Sequence, residues 1–305
     1  MNTSTDSKVR MGIDLGGTKI ELAVLDQSHN VLLRKRIPTE ADQGPEHIIA
    51  QIQQLYFDAR TAYPLHSLGI GTPGSISAQS GLLRNSNTVC LNGLPLQSLI
   101  EKALGCAVTV ENDANCFALA EARLGAGQHQ SCVFGVIMGT GCGGGWVFNQ
   151  QLRRGPQHLA GEWGHMVLDP NGLPCFCGHN GCIETFISGS GVERHYRSIA
   201  KTSDNHLSCE TIFILAKSGS NLVAADVVER FYEYLGQALA NLINVMDPDV
   251  IVLGGGLSNI DELPEQCLKS VQRKVFTKEF TTPIVRHQLG DSAGVIGAAL
   301  IGATY

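Results

Sequence analysis

Two stretches of this chain fold back over glycine in the same way, and that repetition constrains its architecture more than any other feature. The first, VRMGIDLGGTKIELAVLDQ, reads as an apolar strand, a Gly-Gly turn and an alternating strand. The second, SCVFGVIMGTGCGGGWVFNQ, opens near residue 131 and repeats that order. Helical and strand signals follow each. After the first, Ile48, Ile49, Ile52, Leu55, Tyr56 and Ala59 recur at helical spacing over 47–62. Then come a strand at SLGIG, a helix near 95–104, a strand at AVTVEN and a helix from about Ala114 to Leu124. After the second, a long apolar stripe (Val227, Val228, Phe231, Leu235, Leu239, Leu242, Met246) predicts a helix over 225–246, before the strand DVIVLGGG. The pattern predicts duplicated α/β domains facing a cleft. Two unrelated hairpins would give the same local signals, and pattern alone weighs the two equally. The tail DSAGVIGAALIGA reads as a small-residue helix able to pack closely and cross back to the first domain. The expected division is 10–120 plus 291–305 for a small N-terminal domain and 121–290 for a larger one.

A length of 305 residues suits two domains. A hydrophobic share of 43% with 16% charged residues suits packed cores. The formal net charge is −6 with no basic stripe, which disfavours nucleic acid as a partner. The opening MNTSTDSKVR lacks the apolar stretch of a secretory signal, and no uninterrupted apolar run has the length of a membrane span. The expectation is a soluble, cytoplasmic protein with no membrane partner.

The glycine turns point to phosphate. In DLGGTK, Gly16 and Gly17 let the backbone approach a ligand and aim N–H groups at anionic oxygens. Thr18 and Lys19 add a hydroxyl and a cation, and Asp14 could hold Mg²⁺ through water. A tight hairpin with an exposed lysine is the plain alternative. GTGCGGG, with Gly139, Thr140 and Gly141, is the matching turn. It lacks the Lys-Ser or Lys-Thr of a Walker A loop, and it leads into a strand rather than a helix. Two such turns could grip one triphosphate. Gly254, Gly255 and Gly256 offer a flat backbone surface for an adenosine, or simply a turn out of a strand.

VENDANCFALAEA runs from strand into helix at Asp113. An aspartate there is a favoured N-cap. The functional alternative is that it could accept a proton from a sugar hydroxyl, with Asn112 able to fix another, since phosphoryl transfer asks for alignment, charge neutralisation and a proton acceptor.

Three of the ten cysteines cluster in PCFCGHNGC. A disulfide between Cys175 and Cys177 would be strained, and no C-x-x-C redox motif is present. With His165 of GEWGH they make a His-Cys₃ set suited to a closed structural zinc site, free thiols being the alternative. Such a clamp, spanning an insertion at 161–185, would border Glu162 and Glu184, two carboxylates suited to gripping sugar hydroxyls.

Taken together, GIDLGGTK, PGSIS, NSN, ENDANC, GTGCGGG, GEWGH and CFCGHNGCIETFISG resemble the ROK family of sugar kinases, in that family's order, from about residue 10 to the C-terminus. GTPGSIS, NSNTVCLNG and CIETFISG look most like its bacterial fructokinases with manno(fructo)kinase activity. The resemblance implies an actin-like ATPase (ribonuclease H-like) α/β fold and ATP-dependent phosphorylation of a hexose. D-Fructose to D-fructose 6-phosphate is the first expectation and mannose the second, with glucokinase or N-acetylglucosamine kinase as the alternative. It implies Asp113 as catalytic base. Asn87, Asn112, Glu162, His165 and Glu184 become sugar contacts, and the glycine turns become phosphate loops. His165, Cys175, Cys177 and Cys182 become ligands of structural Zn²⁺. ATP and Mg²⁺ are the implied cofactors, and relatives of this kind are often homodimers. Thr72, where many relatives carry an aliphatic residue before the proline of the first substrate loop, departs from the pattern. Sugar-sensing regulators of the family carry a winged helix-turn-helix ahead of the sugar-binding body. With GIDLGGTK starting at residue 12, a regulator is not the expectation.

Overall fold

The computed structural model describes residues 9–64, 66–200 and 206–302. The polar opening segment, 1–8, and the last three residues of the tail lie outside the described residues. The chain divides into two compact units, the first drawn from Met1–Leu124, Gln150–Ala160 and Leu289–Tyr305, the second from Gly125–Asn149 and Gly161–Gln288.

The first unit is built on five strands: β1 (Val9–Leu15), β2 (Lys19–Leu25), β3 (Val31–Pro38), β4 (His66–Thr72) and β7 (Thr109–Asn112), in the order β3-β2-β1-β4-β7. β1 and β4 run parallel, as do β4 and β7, whereas β1, β2 and β3 form an antiparallel meander. The register sets Asp14 opposite Glu21 and Glu21 opposite Arg36. Apart from Arg10, Asp14, Lys19 and Glu21, the inner strands β1 and β2 are largely apolar on both faces, as suits strands covered by helices. Edge strand β3 instead carries Arg34, Lys35 and Arg36, charges that blunt an exposed sheet edge. Two short strands, β5 (Ser75–Ile76) and β6 (Leu83–Arg84), pair beyond β4.

Helix α1 (Pro45–Ala62) starts on a proline and buries Ile48, Ile52, Leu55, Tyr56 and Ala59, most of the stripe expected from the sequence. Helices α2 (Leu96–Leu104), α3 (Asp113–Leu124) and α9 (Ala293–Ile301) belong to the same unit. The tail helix α9 buries eight of its nine residues. Its approach depends on glycine: a Cβ on Gly12 would sit 2.2 Å from the Val295 carbonyl oxygen, and one on Gly69 would sit 2.0 Å from that of Ala298.

Segment 150–160, expected with the second domain, falls with the first, and it includes the two-residue strand β10 (Gln151–Leu152). Side chains fix it there. Arg154 pairs with Glu111, the His158 ring meets the Ile76 carbonyl oxygen at 3.2 Å, and Arg84 donates to that of Gln157 at 2.7 Å.

In the second unit β9 (Cys142–Phe148), β8 (Cys132–Met138), β11 (Val250–Gly254) and β12 (Ile284–Arg286) are neighbours in that order. β8 and β9 are antiparallel, and β11 is parallel to both β8 and β12. The run β2-β1-β4-β7 has the same order and directions, so the repetition seen in the sequence is a repetition of fold. Helices α4 (Glu184–Ile187), α5 (Gly189–Ala200), α6 (Cys209–Lys217), α7 (Leu222–Met246) and α8 (Leu263–Gln272) complete the unit. α7 begins three residues before the expected start because Asn221 caps it, its side chain accepting from Ala224 N at 3.0 Å. Among the described residues no single helix is long and apolar enough to cross a membrane.

Candidate active site

The β1–β2 corner carries the first glycine turn. Gly16 N donates to Lys19 O at 3.0 Å, closing the turn on itself. Thr39 fastens it from outside, its hydroxyl donating to Gly16 O at 2.7 Å and its amide to Thr18 O at 3.0 Å. Thr39 is fully buried. Sequence reasoning passed it over because nothing links a threonine after β3 to a turn 23 residues earlier. Exposed Asn87 also borders the turn: a Cβ on Gly17 would lie 3.8 Å from its Oδ1.

Asp14 ends this strand among other acids. Burial, then the charge of Asp113, then that of Glu21 push its carboxyl up to about 7. Burial likewise raises Asp113 above the usual carboxylate range, against the lowering effect of the Ala114 N–H. Glu21, 1% exposed, is instead held by the guanidinium groups of Arg34 and Arg36.

The N-terminus of α3 is capped by the residue before Asp113. Asn112 is the cap, its Oδ1 accepting from Ala114 N at 2.9 Å and from Asn115 N at 3.2 Å. Its Nδ2 donates to Gly74 O at 2.9 Å, tying the PGSIS loop to the helix start. Gly74 has φ +82°, and a Cβ there would meet Arg84 O at 2.4 Å, so the loop requires glycine. Thr72 is buried, its hydroxyl directed to Pro73 O at 3.4 Å. The Asp113 carboxyl accepts from the adjoining Ala114 N–H at 2.8 Å, and the Asn112 side chain also bears on it. A carboxylate with a raised pKa near a helix start is suited to take up a proton.

The second glycine turn is anchored through its carbonyl groups. Gly189 N donates to Gly139 O at 2.7 Å, and the Ser190 hydroxyl donates to Thr140 O at 2.7 Å. Cys142 N donates to the Glu184 carboxylate at 2.8 Å, and a Cβ on Gly141 would sit 2.7 Å from the same carboxylate. Gly139 and Thr140 open onto a cavity of about 1310 Å³, also lined by Ser190, Phe213, Tyr232 and Gly256. That space is ample for a mononucleotide. Of the glycines after β11, Gly256 alone lines it. Gly254 closes the strand, and Gly255 (φ +78°) turns where a Cβ would meet Met138 O at 2.4 Å. Cys142 is buried, and burial followed by the Glu184 charge holds its thiol well above the ordinary range, which disfavours the thiolate form.

The metal-type cluster forms as the spacing suggested. One ligand atom each from His165, Cys175, Cys177 and Cys182 lies within 4.8 Å of every other. Cys175 Sγ stands 3.6 Å from His165 Nδ1 and Cys177 Sγ 3.5 Å from Cys182 Sγ, far outside disulfide length. Ligands on a zinc tetrahedron with Zn–S near 2.3 Å stand roughly 3.7 Å apart, so the donor set fits Zn²⁺. The backbone closes the loop: Val167 bridges Cys182, Pro174 bridges Asn180, and Gly181 takes φ +63° against Asp169 O. His179 Nδ1 lies 3.5 Å from Cys177 Sγ, a neighbour that counting cysteines did not bring out. Glu162 immediately precedes the 3₁₀ turn Trp163–His165, and Glu184 opens α4 two residues after Cys182.

The profile of the ROK family matches residues 10–304. An N-acetyl-D-glucosamine kinase of Yersinia pseudotuberculosis is 36% identical over 301 residues, covering 95% of this chain and 97% of that protein. Among solved structures, a ROK hexokinase from Thermus thermophilus superposes with a TM-score of 0.86 at 33% identity, over 96% of this chain and 97% of that one. A ROK glucokinase from Streptomyces griseus, in complex with glucose and AMPPNP, gives 0.81 at 30% identity, over 96% and 99%.

Proposed function

This chain belongs to the ROK family, is a sugar kinase acting on a hexose, and we propose that it transfers the γ-phosphoryl group of ATP to the primary hydroxyl of N-acetyl-D-glucosamine. The observation carrying the choice of sugar is the 36% identity, over nearly the whole chain, to N-acetyl-D-glucosamine kinases. It displaces D-fructose, the first expectation from the sequence, to a second reading that rests on NSNTVCLNG and CIETFISG, with mannose beside it.

In the proposed reaction Asp113 accepts the proton of the attacking hydroxyl, its raised pKa making it the stronger base. Asn87, Asn112, Glu162, His165 and Glu184 orient the sugar. Backbone amides of the turns at Gly16–Lys19 and Gly139–Gly141 take the phosphates, and the cavity bordered by Gly256 takes the nucleoside. Mg²⁺ accompanying ATP would spread phosphate charge, with Asp14 as the residue on hand to hold its water. His165, Cys175, Cys177 and Cys182 would hold Zn²⁺, which would fix the 161–185 insertion and leave the chemistry to the side chains. Because Glu184 accepts from Cys142 N, one residue belongs to both the sugar set and the phosphate turn.

The test is a coupled ADP-release assay over N-acetyl-D-glucosamine, D-fructose, D-mannose and D-glucose. N-acetyl-D-glucosamine is expected to give the highest kcat/KM. A D-fructose value about tenfold above it would install the second reading, since tenfold equals about 1.4 kcal/mol of transition-state preference.

A further inference from the structure

Glu111 is 8% exposed and none of its proposed neighbours in the reaction needs it for chemistry, yet its carboxylate is fully engaged. Oε1 accepts from Asn112 N at 2.9 Å and from Asn115 Nδ2 at 2.9 Å. Oε2 accepts from the Arg154 guanidinium. One carboxylate thus holds the residue before Asp113 by its backbone and the first turn of α3 by a side chain. Arg154 lies on segment 150–160, whose own position is fixed by His158 on Ile76 O, by Arg84 on Gln157 O, and by Ala160 N on Arg154 O at 3.2 Å. The same segment reaches the other end of α3, where Arg123 Nε donates to Gln150 O at 2.9 Å. Both ends of the helix that presents Asp113 are therefore held from one strap.

We propose that Glu111 and Arg154 are positioning residues, the ion pair fixing the Asn112–Asp113 turn and hence the direction of the Asp113 carboxyl. The strap sets catalytic geometry without touching substrate. This rests on Asp113 being the base. A buried carboxylate stripped of its cation seeks other donors, and the nearest are the backbone and side-chain amides of this turn. The consequence is misalignment of the reacting groups rather than loss of binding. Displacing a reacting group by about 1 Å costs on the order of 10²-fold in rate.

The experiment measures kcat and KM for sugar and ATP, with thermal midpoints, in Arg154→Gln, Arg154→Lys, Glu111→Gln, the double variant Glu111→Gln/Arg154→Gln, and Asp113→Asn. Arg154→Gln is expected to lose about 10²-fold in kcat with both KM values within about threefold. Arg154→Lys, which keeps the charge but loses the planar fork, should fall between wild type and Arg154→Gln. The double variant should be no worse than the poorer single variant, because both remove one interaction. A folded Arg154→Gln or Arg154→Lys with wild-type kcat overturns the proposal, as does a double-variant loss equal to the product of the single losses. If Arg154→Gln fails to fold, Arg154→Lys carries the test. Asp113→Asn separates the two readings. Should it keep wild-type kcat, the base assignment falls and this proposal with it. Should it be inactive while the Arg154 variants keep full kcat, only the positioning role falls.

Discussion

At the residue scale Asp14 is held in opposition to its own ionisation. Burial, Asp113 and Glu21 lift its pKa from 3.8 to about 7. The unfolded chain ionises it near 4, while the folded chain keeps the proton until about 7. Between those values the folded state binds more protons, so Asp14's contribution to stability falls as pH rises through that window and levels off above it. The rise from 3.8 to about 7 corresponds to a penalty on the order of 4 kcal/mol at pH 8. Asp14→Asn, measured by urea unfolding without nucleotide or Mg²⁺, should therefore gain on wild type between pH 5 and pH 8 while losing activity. An advantage of the same size at both pH values would mean that Asp14 does not titrate in that window. The presence of both acids was legible in DLGGTK and ENDANC, but which of Asn112 and Asp113 caps α3 was not. That choice turns on Asn112 reaching Gly74 O across the PGSIS loop, 38 residues away in sequence.

At the element scale, helices α1 and α7 were legible because their apolar residues recur with the period of a helix; α1 starts two residues early on Pro45 and α7 three residues early behind its Asn221 cap. Segment 150–160 was not. It carries no periodic signal, and its allegiance is decided by contacts at separations of 43 and 82 residues. The tail helix α9 is an intermediate case. Its small residues announced close packing, but the partner surface is two glycines far earlier in the chain. Gly69→Ala places a methyl 2.0 Å from Ala298 O, closer than any real contact, so the helix must shift or strain. Overpacking of this kind costs about 3 kcal/mol, and the urea midpoint should drop with an unchanged m value. An unaltered midpoint would show that α9 does not pack over β4 at this point.

At the scale of the whole molecule, each unit has its own apolar core. One is centred on residues such as Ile13, Ile52 and Ile70, the other on Phe134, Phe231 and Leu253. The His165–Cys₃ cluster belongs to the second unit alone. Two cores let unfolding proceed in two steps, and a metal that binds only the folded state stabilises only the step that dissolves its site. Metal analysis should find about one zinc per chain, in keeping with a four-ligand structural site, and calorimetry should resolve two transitions. Chelation should lower one and spare the other. Cys177→Ser should lose the metal and reproduce the chelated trace. Cys90→Ser, changing a thiol of the first unit that faces Ala41 O at 3.5 Å, should keep the metal. Wild-type protein without zinc, or chelation that moves both transitions alike, would show that the cluster does not hold the second unit together through a metal. Steady-state kinetics on the chelated protein then read the functional side. Glu184 follows Cys182 by two residues and accepts from Cys142 N, so loosening the cluster should raise KM for both the sugar and ATP. A rise for the sugar alone would mean that the Glu184–Cys142 contact does not carry the disturbance to the phosphate turn.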